Sequence, residues 1–104
     1  MRLKNIDLPQ QELDDFCQRW QIMELAVFGS VLRDDFRPDS DIDILVTFAP
    51  QVRWTLLDFV TMQNELSTLL GRQVDLVMRE AVEQSRNLRR SKRILESAQV
   101  VYVA

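Results

Sequence analysis

Two short apolar segments, joined by a polar one, most constrain how this chain can fold. The first, residues 25–28, is continuously hydrophobic, as buried strands are, and a Gly-Ser step at positions 29 and 30 closes it. The second, residues 41–46, begins with Asp41 and Asp43 alternating with isoleucines. Because side chains alternate between the two faces of a strand, both acids point one way and the isoleucines point into the core. The pattern predicts two carboxylates side by side on one face of a sheet.

These carboxylates predict a site for a divalent cation. Neighbouring carboxylates repel each other, so one would hold a proton unless a cation lay between them, and such oxygen ligands suit Mg²⁺ or Mn²⁺. A third acid, Asp75, interrupts the apolar segment 74–77, where an aspartate is unfavourable unless it is paired or coordinated. If the two strands are neighbours, the three acids can hold two metal ions, one activating an attacking oxygen and one gripping phosphates.

The spacing of the acids allows two other interpretations. Asp39, Asp41 and Asp43 have the spacing that opens an EF-hand loop. That loop requires Gly at its sixth position and Glu at its twelfth, where this chain has Ile44 and Pro50, so a calcium loop is excluded. A solvated turn with surface acids accounts for Asp39 but not for Asp43, which lies among apolar residues.

The Gly-Ser step is a candidate phosphate site. Gly29 lets the backbone approach a phosphate closely, exposed amides at a helix start attract anions, and Ser30 adds a hydroxyl donor. A plain turn with a helix cap is the alternative, but the position before the paired acids favours triphosphate binding. We expect Arg33 either to neutralise an acid or to contact substrate. Ser40 either supports the acid pair by hydrogen bonding or starts the strand.

Taken in order, these features resemble the signature of a known superfamily. A Gly-Ser step at 29–30, ten intervening residues and Asp-Ile-Asp at 41–43 are similar to the motif of the polymerase-β-like nucleotidyltransferases, and Asp75 matches their third carboxylate. The short chain looks most like the minimal nucleotidyltransferases, or MNT group, which are usually encoded beside a HEPN-domain protein as a toxin–antitoxin pair. The resemblance covers nearly the whole chain. It departs from the family pattern at Asp34, where Gly is usual, and at Leu32, where Ala is frequent.

The resemblance implies an α/β (α+β) fold, a small mixed β-sheet backed by helices, in a single domain spanning residues 1–104. It also implies a protein adenylyltransferase that moves AMP from ATP to a hydroxyl, that of a tyrosine, on a HEPN-family ribonuclease toxin. The chain would then act as the antitoxin. Larger relatives carry an added helical domain, so we expect the partner to supply the acceptor and part of the pocket.

The resemblance assigns roles to the motif residues. Asp41 and Asp43 would hold two Mg²⁺ ions, with Mn²⁺ as a substitute, and Asp75 would ligate the catalytic metal and orient or deprotonate the acceptor hydroxyl. Gly29 and Ser30 would hold the β- and γ-phosphates of ATP. The full nucleotide-binding set is Gly29, Ser30, Arg33 and Ser40.

The alternative from another class is a non-catalytic antitoxin or nucleotide-sensing subunit that neutralises its partner by binding. The presence of all three acids favours activity, although a rigid complex could neutralise a partner by occlusion alone. A third interpretation, a homodimeric small-molecule nucleotidyltransferase, lacks a visible acceptor pocket. The sequence does not decide between a homo-oligomer and a hetero-oligomer with the toxin.

The amino-acid composition argues against several classes of function. The formal net charge of −3 argues against a general nucleic-acid binder, which would be basic, and the absence of histidine excludes Ser-His-Asp hydrolysis and His-based zinc sites. With neither a long uncharged apolar run nor the core of a signal peptide, we expect a cytoplasmic protein without a membrane span. Cys17 is the single cysteine, so no intrachain disulfide forms, and we expect it to pack in a helix.

Hydrophobic periodicity predicts the remaining elements, in a strand–helix–strand order typical of a mixed sheet backed by helices. We predict a helix over about 8–20, a turn at 21–24, a helix over 54–70, a strand over 74–78 and a helix over 81–96. Segment 100–103 is either a final strand or an interface segment. The predicted buried face of the second helix comprises Leu56, Leu57, Val60, Leu66, Leu69 and Leu70.

One face of the last predicted helix is strongly basic. Its arginines recur at helical spacing. Either this face is simply solvated or it docks an acidic partner or substrate phosphates, with RNA disfavoured by the acidic total charge. The residues of this face are Arg86, Arg89, Arg90 and Arg93.

Overall fold

The computed structural model describes the backbone of residues 2–3, 6–32 and 41–104, and the side chains of residues 7–29, 32 and 41–104. The strands in these ranges are β1 (Arg2–Leu3), β2 (Ile6–Asp7), β3 (Ile22–Phe28), β4 (Ile42–Phe48), β5 (Val74–Met78) and β6 (Gln99–Val103). The α-helices are α1 (Gln10–Arg19), α2 (Leu56–Leu70), α3 (Arg79–Glu83) and α4 (Leu88–Ser97). A 3₁₀ helix, Gly29–Leu32, follows β3 directly.

The main sheet is mixed, as predicted. Its strands lie in the order β5-β4-β3-β6. The pairs β3–β4 and β3–β6 are antiparallel, whereas β4 and β5 are parallel and are joined through α2. β1 and β2 form a separate small antiparallel pair. The predicted small mixed β-sheet backed by helices is therefore confirmed.

The two faces of this sheet carry separate cores. On one face, apolar residues of α1 and α2 such as Phe16 and Leu66 pack against strand residues such as Val27 and Ile44. On the other face, α3 and α4 cover a smaller cluster that contains Phe28. Because side chains alternate along a strand, β3, β4 and β5 each contribute residues to both cores. Asp43 and Asp75 have the same strand parity as the residues of the smaller cluster, and this places them on the α3–α4 face.

Polar contacts tie α1 to α2 beside the larger core. Arg19 donates to Glu65 at 2.9 Å, and the indole of Trp20 donates to the other oxygen of the same carboxylate at 2.8 Å. The indole of Trp54 donates to the carbonyl of Trp20 at 3.1 Å, and the two rings meet edge to face with centroids 5.1 Å apart. These contacts join the end of α1 to the second half of α2 and to the segment just before α2.

Two predicted element boundaries were wrong. The segment predicted as a turn at 21–24 belongs mostly to β3, which begins at Ile22 because that residue is buried and pairs with Phe48 of β4. The helix predicted over 81–96 is two helices, α3 and α4. The chain breaks between them because the Ser85 hydroxyl accepts a hydrogen bond from the Asn87 amide, and the Asn87 side chain caps the start of α4.

The predicted buried face of α2 was also partly wrong. Leu66 is fully buried, and Leu69 and Leu70 pack against the core. The side chains of Leu56 and Leu57, however, are 80% and 75% exposed, and Val60 is exposed as well. The first turn of α2 presents these apolar residues outward, while Met62, one turn further along, reaches the core.

We expect Leu66→Ala to lower the free energy of unfolding by about 2–5 kcal/mol, because it opens a cavity in the larger core. The matched control is Leu57→Ala on the exposed side of the same helix, which we expect to change it by less than about 0.5 kcal/mol. Urea unfolding followed by circular dichroism measures both. Equal losses in the two variants would contradict the assignment of the buried face.

None of the helices in the described ranges is both long enough and apolar enough to cross a bilayer.

Cys17 lies in α1 with its thiol in the larger core. Burial, with a smaller contribution from the nearby Asp14 carboxylate, raises the pKa of this thiol to about 12. The thiol is therefore protonated at neutral pH, as expected of a packing residue.

Candidate active site

The parallel pairing of β4 and β5 places two of the three predicted acids next to each other. Asp43 of β4 lies directly opposite Asp75 of β5 in the strand register. Neighbouring strands are about 4.8 Å apart, and residues in register point to the same face. The Ile42 amide donates to the Gln73 carbonyl at 2.9 Å, which extends the strand pairing to the end of the sheet where the acids lie. Two carboxylates on adjacent strands are the geometric centre of this site.

Asp41 lies two residues before Asp43, immediately ahead of β4. It is exposed, as is Asp75, while Asp43 is half-buried. Asp41, Asp43 and Asp75 therefore lie at the same end of the neighbouring strands β4 and β5, and we call this group the acidic edge. The edge is open to a ligand that approaches from solvent.

Gly29 is in contact with the carboxylate of Asp43. Its φ of +79° lies in the left-handed region, which favours glycine. A β-carbon at this position would overlap Oδ2 of Asp43 and lie 3.2 Å from its Cγ. The contact arises because Phe28, the residue before Gly29, pairs with Asp43 across the antiparallel strands. Gly29 thus leaves the space in which the Asp43 carboxylate sits.

The Gly-Ser step begins the 3₁₀ helix Gly29–Leu32, which agrees with the helix start or turn expected at this step. The backbone of Ser30 belongs to this turn. The Ser30 side chain and the two remaining predicted nucleotide-binding residues, Arg33 and Ser40, lie outside the described part of the structure. Their predicted roles stay predictions.

A small cavity of about 160 Å³ lies on the same face of the sheet as the acids. Phe28, the register partner of Asp43, and Val77, two residues after Asp75, form its floor. Arg90 also lines it. The four arginines predicted to share one helix face are all exposed, but Arg86 lies in the break between α3 and α4, so only Arg89, Arg90 and Arg93 belong to one helix. The remaining lining residues come from α3, α4 and the break between them: Ala81, Val82, Ser85, Ser91 and Ile94.

A larger cavity of about 670 Å³ opens at the other end of β4, away from the acids. Aromatic residues such as Phe48, Trp54 and Phe59 line much of it. Arg53, Arg79, Glu80 and Glu83 also line this cavity. Because the three predicted acids lie at the opposite end of the strand, we assign the chemistry to them and not to this larger space.

The sequence did not indicate that the region after β5 lines the small cavity. The continuous helix predicted over 81–96 hid the break that places Ser85 there. The signal was available in the Ser85 to Asn87 segment, since Ser and Asn favour turns and helix caps over helix interiors.

The acidic edge suits a hard divalent cation by the chemistry of its donors. Carboxylates are the ligands that Mg²⁺ and Mn²⁺ take, and the space at Gly29 admits the Asp43 carboxylate. Among the described side chains, no three acids, histidines or cysteines are gathered closely enough to form a metal cluster. The backbone register places Asp43 and Asp75 as neighbours, and Asp41 lies two residues before Asp43.

The family profile described as "Nucleotidyltransferase domain" matches residues 10–101, which include the acidic edge and the Gly-Ser turn. This chain belongs to the nucleotidyltransferase domain family. The protein adenylyltransferase MntA of Thermococcus cleftensis is 41% identical over 66 residues, which cover 64% of this chain and 65% of that protein. The chain therefore matches somewhat less than two thirds of the length of this curated relative.

Solved structures agree with the nucleotidyltransferase fold. One, of a protein provisionally described as a minimal nucleotidyltransferase, is 34% identical, covers 86% of this chain and 85% of its own, and superposes with a TM-score of 0.64. A toxin–antitoxin crystal structure with AMP-PNP covers 93% of this chain and 75% of its own at 16% identity, with a TM-score of 0.68. The structure of a tri-AMPylated Shewanella oneidensis HEPN toxin in complex with an MNT antitoxin covers 91% of this chain and 70% of its own at 13% identity, with a TM-score of 0.55. At these lower identities the likeness shows the fold.

Proposed function

We propose that this chain is a protein adenylyltransferase that moves AMP from ATP to a hydroxyl group of a partner protein and so acts as an antitoxin. The observation that carries the proposal is the pairing of Asp43 with Asp75 on adjacent strands, with Gly29 against the Asp43 carboxylate. The membership of the nucleotidyltransferase domain family and the adenylyltransferase name of the Thermococcus relative support the same reaction class.

In this proposal the acids hold Mg²⁺ and place the reacting groups. Asp41, Asp43 and Asp75 would hold the cation, which when bound supplies positive charge against the phosphates and the departing pyrophosphate. Asp75, which is exposed on the outer strand β5, orients the acceptor hydroxyl and accepts its proton. The chain contributes no covalent intermediate, so its effect on rate comes from positioning and electrostatic stabilisation.

The turn after β3 holds the phosphate end of ATP in this proposal. The amides at the start of the 3₁₀ helix lie next to Asp43, since Gly29 contacts that carboxylate. They would donate to the β- and γ-phosphates, with the Ser30 hydroxyl as a further donor and with Arg33 and Ser40 completing the set. The α-phosphate would then lie over the acidic edge.

We propose a HEPN-family ribonuclease toxin as the partner and a tyrosine hydroxyl as the acceptor. The support is the Shewanella complex, which pairs an AMPylated HEPN toxin with an MNT antitoxin of the same fold. In this proposal, residues 1–104 act as one domain in the cytoplasm, where ATP is available. The partner then supplies the aromatic ring that carries the attacking oxygen.

The test is a transfer assay with the purified chain, a HEPN protein encoded beside it, Mg²⁺ and ATP labelled on the α-phosphate. We expect label on the partner and a mass increase of one or more AMP groups, which tandem mass spectrometry maps to a tyrosine. The control is the double variant Asp41→Asn/Asp43→Asn, which should transfer no label. If the partner is neutralised without gaining mass, the chain is a binding antitoxin and the catalytic proposal is wrong.

A further inference from the structure

Two side chains of α2 bind the outer edge of β5 on either side of Asp75. The amide of Val74 donates to the Ser67 hydroxyl at 2.9 Å, and the amide of Leu76 donates to the Gln63 side-chain carbonyl at 2.9 Å. β5 is the outer strand of the described sheet on this side, with β4 on its other side. The two amides that point away from β4 therefore find acceptors on the helix, and Asp75 lies between them.

These two acceptors form one rigid unit. Gln63 and Ser67 are four residues apart, so they lie on the same face of α2. The Ser67 hydroxyl also donates to the Gln63 backbone carbonyl at 2.8 Å, which orients its lone pairs toward the Val74 amide. Between them along the helix, Leu66 is fully buried in the larger core and anchors this turn of α2.

We propose that Gln63 and Ser67 are positioning residues that set the direction of the Asp75 side chain toward Asp43. An outer strand held on one edge alone can twist about its own axis, and a twist of β5 would turn Asp75 away from its neighbour. The hydrogen bonds from the Val74 and Leu76 amides to α2 hold the strand along the side that faces away from β4. This inference rests on the proposed function, in which Asp75 orients the acceptor hydroxyl and helps to hold the cation.

The variants Ser67→Ala and Gln63→Leu each remove one acceptor. Partners that orient a metal-binding or catalytic group typically change activity or metal affinity by about 10- to 100-fold, so we expect kcat for AMP transfer to fall at least about tenfold in each. KM for ATP should stay unchanged, because the Gly-Ser turn is untouched. Ser67→Thr keeps the hydroxyl and should restore most of the lost kcat.

Two controls separate positioning from general destabilisation. Thr68, the next residue of α2, makes the same type of hydrogen bond to a carbonyl four residues earlier but is exposed, so Thr68→Ala should leave kcat unchanged. Val101 is buried in β6, at the opposite edge of the sheet. Val101→Ala should lower the unfolding midpoint without lowering kcat at temperatures well below that midpoint.

Two further measurements do not depend on turnover. Amide hydrogen exchange should speed up at Val74 in Ser67→Ala and at Leu76 in Gln63→Leu. Titration with Mn²⁺, followed by paramagnetic broadening of the Asp75 side-chain signals, should require at least about tenfold more Mn²⁺ in both variants than in the wild type or in Thr68→Ala.

The outcomes distinguish this inference from the proposed function. If the wild type transfers AMP and the two variants keep its kcat, the positioning role is overturned while the transferase stands. If the wild type transfers no AMP, the transferase proposal fails, and the Mn²⁺ titration decides the positioning role. Equal midpoints in wild type and variants would then overturn it, and weaker binding in the variants would support it. A loss of kcat that Val101→Ala reproduces would also overturn it.

Discussion

Asp43→Asn is expected to lower AMP transfer by about 10²–10³-fold, the effect of removing one preorganised electrostatic group from an active site. The substitution keeps the shape of the side chain and removes its charge. Asp43 is half-buried, with Gly29 against its carboxylate and Asp75 opposite it on β5, so the substitution removes a charge from the centre of the candidate site. We expect the loss mainly in kcat, since the turn that would hold the phosphates of ATP keeps its conformation.

The matched control for this variant is Asp15→Asn, an exposed aspartate of α1 that accepts a hydrogen bond from Gln11 of its own helix. It makes the same chemical change on the opposite side of the sheet from the acidic edge and should leave transfer unchanged. Far-ultraviolet circular dichroism and urea midpoints should show both variants folded. Transfer by Asp43→Asn within a few-fold of the wild-type rate would contradict the mechanism.

The placement of the acids was predictable because it depends on local rules. Strand alternation is a property of a few consecutive residues, so the spacing of Asp41 and Asp43 predicts a shared face; the structure places Asp43 in β4 and Asp41 immediately before it. The neighbouring position of Asp75 follows from a strand–helix–strand unit, in which consecutive parallel strands most often lie side by side. The structure adds the register, with Asp43 directly opposite Asp75, and the sequence pattern alone does not determine such a register.

The errors in the prediction have the opposite origin, since they concern contacts between distant segments. Leu56 and Leu57 fit the apolar stripe of α2, but they lie on the exposed side of its first turn, whose core-facing residue is Phe59. The Gln63 and Ser67 contacts were missed for a related reason. Polar residues on a helix are normally predicted to face solvent, and the sequence does not indicate that the outer edge of β5 lies against these two.

The role of Gly29 was only half predicted. Its motif indicated a close approach of the backbone to a phosphate, and the structure adds a second requirement, because the residue also makes room for Asp43. This contact depends on the antiparallel register of β3 and β4, which joins residues fourteen apart in the sequence. One glycine therefore links the proposed phosphate-binding turn to the acidic edge.

Gly29→Ala is accordingly expected to impair both folding and catalysis. An alanine in the left-handed region costs about 1–2 kcal/mol in backbone strain, and forcing a methyl group into an occupied space typically costs about 1–3 kcal/mol more. The methyl group would overlap the Asp43 carboxylate and displace it. Since a displacement of about 1 Å in a catalytic group can lower the rate by about 10²-fold, we expect a loss of AMP transfer of that order.

Gly71→Ala is the matched control that separates the backbone strain of an alanine from its overlap with the Asp43 carboxylate. Gly71 ends α2 with a φ of +68°, close to that of Gly29, but a β-carbon there would meet nothing within 4 Å. This variant should therefore show the backbone strain alone, with a fall in unfolding free energy of about 1–2 kcal/mol and unchanged transfer. The difference between the two variants, in urea unfolding and in AMP transfer, measures the contact with Asp43. Equal stability losses, with transfer intact in Gly29→Ala, would show that the carboxylate does not need the space that this glycine leaves.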